Sequence, residues 1–252
     1  MVNKTKLLIN DKISSRVWAA TLLALAIITS TCILSYTWRN NVKSLQTIAV
    51  TGSAKKDIIA DIGILRGSVL INASNQNDGY SLIKTQMPLV LNYLNTQGIK
   101  STDIELMPIN SYANYEYTPQ GMQTGRILGY TQSQRFQLKL NDVNKIKLLS
   151  LQITDLLKQG VSLQMENPEY YYSGLSELKI QIQADAAKDA QTRAKRIAES
   201  TEQTLGAMRS AKMGVLQITP KNSNIIGDYG INDASSIEKE ITAVVHANFE
   251  ID

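Results

Sequence analysis

The chain has 252 residues, 43% hydrophobic and 19% charged, with a formal net charge of +4, one cysteine and one histidine. A single thiol excludes an internal disulfide framework, and one imidazole without a cysteine beside it excludes a typical zinc site. The positive charge is concentrated at the start, where Lys4, Lys6, Lys12 and Arg16 face only Asp11; the remainder of the chain carries about +1 and gives no argument for nucleic acid.

Residues 17–36 form an uncharged apolar run with Trp18 and Trp38 at its ends. About twenty helical residues span roughly 30 Å, the thickness of a bilayer's hydrocarbon core. The pattern predicts a basic cytoplasmic leader (1–16), a transmembrane anchor (17–38) and a domain on the far side of the membrane. A cleaved secretory signal is the alternative, although Ser35-Tyr36-Thr37-Trp38 lacks the small residues of a cleavage site. A third is a lipidated Cys32, where Thr31 is bulky for the preceding position. Because Cys32 lies inside this helix, the exported part has no thiol and must be held by a hydrophobic core.

Residues 39–44 read as a polar stalk, after which 45–252 form one domain. Strands are expected at 45–53 and 58–73, separated by a turn at Lys55-Lys56-Asp57, with Gly63 and Gly67 marking a bulge or bend. Asn75 to Asp78 open a helix whose apolar face is Ile83, Met87, Val90, Leu91 and Leu94; Gly98 closes it, and Pro88 is expected to kink or split it. A long hairpin comes next, with strands at 104–117 and 127–140. Asn141-Asp142 begin a second helix closed by Gly160, and 161–172 read as a strand interrupted near Pro168. The longest helix is expected at about 175–205. Strands at 207–219 and 240–251 complete the chain, with a mobile polar loop at 220–236 between them. The order implies α+β: a mixed or antiparallel sheet with helices on one face, preceded by a single transmembrane helix.

Ala186, Ala190, Ala194 and Ala198 form a narrow ridge on the long helix, flanked by Leu178, Ile182, Ile197 and Leu205. Small residues in this pattern make a helix packing seam, either within the chain or between copies. The run from Asp185 to Ala198, DAAKDAQTRAKRIA, resembles the Ala-rich helix of SIMPL-domain proteins, a family of bacterial periplasmic immunogenic and oxidative-stress-defence envelope proteins. Leu205-Gly206, the strand from Glu240 to Val245, Gly129-Tyr130 and Thr51-Gly52 fit the same pattern in the same order. The resemblance implies an envelope protein linked to stress defence, with no established catalytic residues and with a ring-like or channel-like assembly of many copies of the kind some members form; the leader and anchor add the expectation of a single-pass inner-membrane protein with a periplasmic domain.

The residues themselves name no reaction. His246 is the only base for a Ser-His-Asp triad, no G-x-S-x-G elbow accompanies it, and alternation in the last strand puts it on the wetter face. Asp185 and Asp189 share a helix face as solvated carboxylates, Asp228 and Asp233 are too widely spaced for a calcium loop, and no phosphate-binding glycine loop is present. No catalytic, cofactor or metal residues are therefore assigned. Eleven tyrosines against two phenylalanines are more suggestive. Tyr112, Tyr115 and Tyr117 cluster on the hairpin, and Tyr170 and Tyr172 beside Pro168; tyrosine combines contact area with a polar tip and is enriched at interfaces. The expected function is a non-enzymatic, membrane-anchored, self-assembling envelope protein, with an unknown envelope protein as a further partner. A small-molecule or lipid binder is the alternative, and an unrecognised hydrolase a more distant one.

Overall fold

The computed structural model describes Trp18, residues 20–38 and residues 46–251. The leader at 1–16 and the stalk at 39–44 lie outside the described residues. Helix α1 (Ala20–Trp38) is long and apolar enough to cross a membrane, and none of it is buried by the rest of the protein. Its threonines do not break its apolar character. Thr29 and Thr31 donate back to the carbonyls of Leu25 and Ile27 at 3.0 and 2.6 Å, which satisfies hydroxyls that lipid would leave unpaired.

The elements after it are β1 (Thr47–Ile59), β2 (Ile62–Ala73), α2 (Gln76–Thr96), β3 (Ile104–Tyr117), β4 (Gln123–Leu140), α3 (Val143–Gln152), β5 (Leu163–Met165), β6 (Glu169–Tyr171), α4 (Leu175–Ser200), β7 (Leu205–Met213), β8 (Gln217–Pro220), β9 (Ile231–Asn232) and β10 (Glu238–Ile251). The α+β class and the apolar N-terminal helix hold. The strands form two sheets rather than one: β1-β10-β8-β9 with β7 also on β10, and β3-β4-β2-β5 with β6 also on β2. The chain divides into two compact units, one of Met1–Gly52, Ala186–Met213 and Val245–Asp252, the other of Ser53–Asp185 and Gly214–Val244.

In the larger unit, helices α2 and α3 pack against β2 and bury Leu65, Val69, Phe136, Leu138, Ile83, Val90 and Ile146. Both helices begin on the caps that the sequence implies: Asn75 accepts from the Asp78 amide and Asp142 from the Lys145 amide, each at 2.9 Å. Gly98 and Gly160 end their helical segments at φ of 72° and 78°. Gly63 and Gly67 mark no bulge, since the β2–β4 register runs unbroken from Gly63↔Leu140 to Ala73↔Tyr130. They are glycines because a Cβ would stand 2.8 Å from Ile146 Cγ1 and 2.5 Å from Met165 Sδ. Pro88 neither splits nor ends α2; it lies on the exposed side, where water can satisfy the carbonyl its missing N–H leaves free.

The turn expected at Lys55-Lys56-Asp57 is continuous strand, and the break between β1 and β2 falls at Ala60-Asp61 instead, where the chain passes from one sheet to the other. Partners distant in sequence hold the charges in place: Lys55 meets Glu240 at 2.8 Å, Lys56 the Gln181 amide oxygen at 3.3 Å, and Asp57 meets Lys221 at 3.0 Å. Charges along such an edge strand also discourage unwanted pairing. The segment expected as one strand at 207–219 is two, β7 and β8, broken after Met213.

In the smaller unit, β7 pairs antiparallel with β10 from Val245↔Met213 to Ile251↔Leu205. Val245, Ala247 and Phe249 are buried there. Helix α4 stops at Ser200, short of the expected 205: Glu202 takes a left-handed φ of 57° and the Gln203 amide returns to the Ala198 carbonyl at 2.9 Å.

Candidate functional site

His246 projects from the exposed face of β10, and its Nδ1 lies 2.9 Å from Thr51 Oγ1. Threonine cannot orient a catalytic imidazole as a carboxylate does. Replacing His246 with alanine is expected to change unfolding free energy by no more than about 0.5 kcal/mol, the range of exposed substitutions, measured by urea titration. Among the described residues no group of three or more His, Cys, Asp or Glu side chains stands close enough to hold a metal ion.

The four alanines of the ridge are completely buried within the chain. Their small size serves a backbone-to-backbone contact with β1. A Cβ on Gly52 would lie 2.3 Å from both the Ala186 carbonyl oxygen and the Ala190 amide nitrogen. The ridge is thus a seam occupied within one chain, with no surface left for a second copy.

The two tyrosine clusters part company. Tyr170 is only 4% exposed and sits in the core, so it is withdrawn from the candidate interaction surface; its phenol is pushed up from its ordinary pKa by burial. Tyr172 is half-buried and lies just past the end of β6, so the two rings do not form one exposed strand face. Alternation alone could not reveal this, because the Tyr170 amide is tied to the Ala234 carbonyl at 2.7 Å, a contact across 64 residues.

The hairpin cluster is different. β2 pairs with β4 only as far as Tyr130, so residues 123–129 of β4 have β3 as their sole neighbour, and β3 is the edge of the sheet. The result is a two-stranded arm extending past the third strand. Its turn is closed by the Thr118 amide to the Met122 carbonyl at 2.8 Å, and Gly121 and Gly125 both adopt φ of 80°. Glu116 braces it by accepting from Thr124 at 3.1 Å and pairing with Arg126 at 3.5 Å. Tyr112, Tyr117 and Met122 are 64%, 62% and 65% exposed, and Tyr115, Ile127 and Leu128 are exposed beside them. An isolated two-stranded ribbon is marginal in water, and exposed apolar patches of this kind mark contact surfaces.

Two polar clusters escaped sequence reading. On the larger unit, Arg66 meets Glu169 and Gln137 at 2.8 Å, while the Tyr171 hydroxyl donates to Glu169 at 2.8 Å. Arg66 first, and then Tyr171, hold the Glu169 carboxyl below its ordinary range. The set fastens β6 to β2. The second ties the end of the supposed mobile loop to β10: Lys239, 2% exposed, donates to the Asp233 carbonyl at 2.6 Å and to its carboxylate at 3.1 Å. Ser235 and Ser236 also donate to that carboxylate. No spacing rule signals the Arg66 set, whose partners meet only when the strands pair; the Asp233 set is local, its partners Ser235, Ser236 and Lys239 lying two, three and six residues on.

A helix seated backbone to backbone on a strand, two antiparallel-rich sheets and a two-stranded aromatic arm define an α+β protein. The chain belongs to the SIMPL family: the family's sequence pattern, described as "Protein of unknown function (DUF541)", matches residues 48–249. No curated protein matches it. Among solved structures, a hydrolase from Listeria innocua is similar over 79% of this chain and 91% of its own, at 7% identity and a TM-score of 0.20, too low to carry an argument.

Proposed function

We propose that this protein is a single-pass, membrane-anchored envelope protein, with its N-terminus cytoplasmic and its SIMPL domain periplasmic, that works by contact rather than catalysis. Copies assemble through the β3–β4 arm in a role linked to stress defence. The observation that carries the reading is the arm: an edge ribbon without a third strand, bearing five exposed large apolar side chains, with exposed Tyr112 at its base. Tyrosines in such a place become contact anchors when a neighbour excludes water from them. The basic leader and apolar helix support the orientation, and the resemblance of the alanine-rich helix to that of stress-defence envelope proteins suggests the role.

Native mass measurement of the full-length protein in mild detergent tests assembly. A concentration-dependent oligomer is expected, weakened about tenfold or more in dissociation constant by Tyr112→Ser with Tyr117→Ser, while the melting temperature stays unchanged because both rings are exposed. A strict monomer at high concentration, or an oligomer indifferent to both substitutions, overturns the reading.

A further inference from the structure

We propose that the larger unit carries a peptide site at the free edge of β5, one that takes a short extended peptide with both termini charged. A cleft of about 920 Å³ opens there, within the usual range for small-ligand sites. Its walls are one side of α3, the corner between β5 and β6, and the chain at 220–222 and 235–238.

The first observation is the strand edge. β5 ends its sheet and pairs on one side only, with β2. In an antiparallel ladder alternate residues turn their backbone groups toward the partner. The Glu166 amide donates to the Arg66 carbonyl at 3.0 Å, and the Leu70 amide to the Ser162 carbonyl at 2.9 Å. Met165 is out of phase with these residues, so its N–H and C=O turn away from β2. Further along the same edge the chain supplies its own neighbour, because the Tyr170 amide donates to the Ala234 carbonyl at 2.7 Å. At Met165 no described segment takes that place. An open edge beside a cleft is a template for an added extended segment.

The second observation is the charge of the lining. Its charged side chains are Lys147, Lys221, Glu166 and Glu238, which sum to zero. Lys221 is engaged, meeting Asp57 at 3.0 Å and Glu238 at 3.8 Å. Lys147 and Glu166 have no ion-pair partner among the described residues and do not pair with each other. Glu166 senses Arg66 only at a distance, and Arg66 is held by Glu169 at 2.8 Å. Asn144, Asn167 and Asn222 add three side-chain amides without a partner among the described residues, each both donor and acceptor. One ligand answers all of these groups. A terminal carboxylate suits Lys147, a terminal ammonium suits Glu166, and peptide groups suit the Met165 edge and the asparagines. A neutral glycan would satisfy the amides and leave both charges unanswered. The assignment is independent of the arm and of any assembly through it.

The test uses the full-length protein in mild detergent, with trialanine as the probe. Calorimetric titration is expected to show saturable binding, and amide exchange on a fragment covering residues 163–168 is expected to slow. Capping either terminus, as N-acetyl-trialanine or trialanine amide, is expected to weaken binding about threefold or more, the range of an exposed ion pair. Lys147→Gln should abolish the penalty of the amide cap alone, and Glu166→Gln that of the acetyl cap alone. Both positions are exposed, so melting temperatures should not move. Absence of saturable binding, equal binding by the capped peptides, penalties unchanged in the two variants, unaltered exchange at 163–168, or equal binding by the neutral glycan diacetylchitobiose overturns the site.

Discussion

Replacing Lys239 with methionine is expected to lower the unfolding free energy by about 3–5 kcal/mol, read from urea or thermal unfolding, because it strands the Asp233 carboxylate in a site that is itself buried. Asp233→Ala should cost as much from the other side, leaving an ammonium with 2% exposure and only a carbonyl for a partner. The two losses are not additive: the double variant Asp233→Leu with Lys239→Met removes both charges and should recover much of the loss. The pair also fixes an acid response. Burial by itself would raise the Asp233 carboxyl, but hydrogen bonds from Ser236, Ser235 and Lys239 outweigh it and hold the group well below the usual carboxylate range. A depressed folded-state pKa contributes stability that is fully present above the unfolded value of about 3.9 and is lost as pH falls below it toward the folded value. Thermal scans should therefore show a steeper decline below about pH 4 in the unaltered protein than in the double variant. Equal slopes would mean that Asp233 is not a source of the acid response.

This pair shows where sequence reading ends. The run 220–236 is rich in Asn, Gly, Asp and Ser, and by composition reads as mobile. In the folded chain its end is fixed by a buried charge, and Ile231–Asn232 adds a parallel strand to β8. Composition reports what a segment does alone; burial is decided by what it meets. The same reason explains the false turn at Lys55 to Asp57, whose partners are Glu240, Gln181 and Lys221. What the sequence carried well was local. Alternation in β10 placed Ile241, Ala243, Val245, Ala247 and Phe249 inward and left His246 outside. Helix caps at Asn75 and Asp142 and helix-ending glycines at 98 and 160 were legible because each acts within a few residues of itself. The hairpin tyrosines were legible as a cluster, but their exposure was not. For Tyr115 and Tyr117 it goes with the stretch of β4 beyond Tyr130 that β2 does not reach, a fact of sheet register that no window of β3 or β4 contains; Tyr112 is exposed opposite Thr131, where β2 still pairs.

Gly52→Ala is expected to be among the most damaging single-methyl additions in the smaller unit, costing about 3 kcal/mol or more in unfolding free energy. The new Cβ would stand 2.3 Å from the Ala186 carbonyl oxygen and the Ala190 amide and 2.7 Å from Ala190 Cα. All three are backbone atoms of α4, so no rotamer change relieves the clash; strand and helix must separate along the contact, reopening space that four fully buried alanines now fill. Gly63→Ala makes a useful contrast. There the intruding methyl meets only side-chain atoms, Ile146 Cγ1 at 2.8 Å and Cβ at 3.0 Å, which a small shift of α3 relieves without parting two backbones, and a smaller loss is expected. The distinction gives a sharper check than either value alone. If side-chain crowding caused the Gly52 effect, Ala190→Gly would rescue it. Because the obstacle is backbone, Ala190→Gly should leave Gly52→Ala unrescued and add about 1 kcal/mol of its own, the cost of glycine in a helix interior. Rescue in that double variant would show that α4 does not rest on β1 through its main chain. The alanine period and Thr51-Gly52 are then one feature seen from two sides: a helix kept free of side chains on one ridge, and a strand residue with none to offer at the point where it lands.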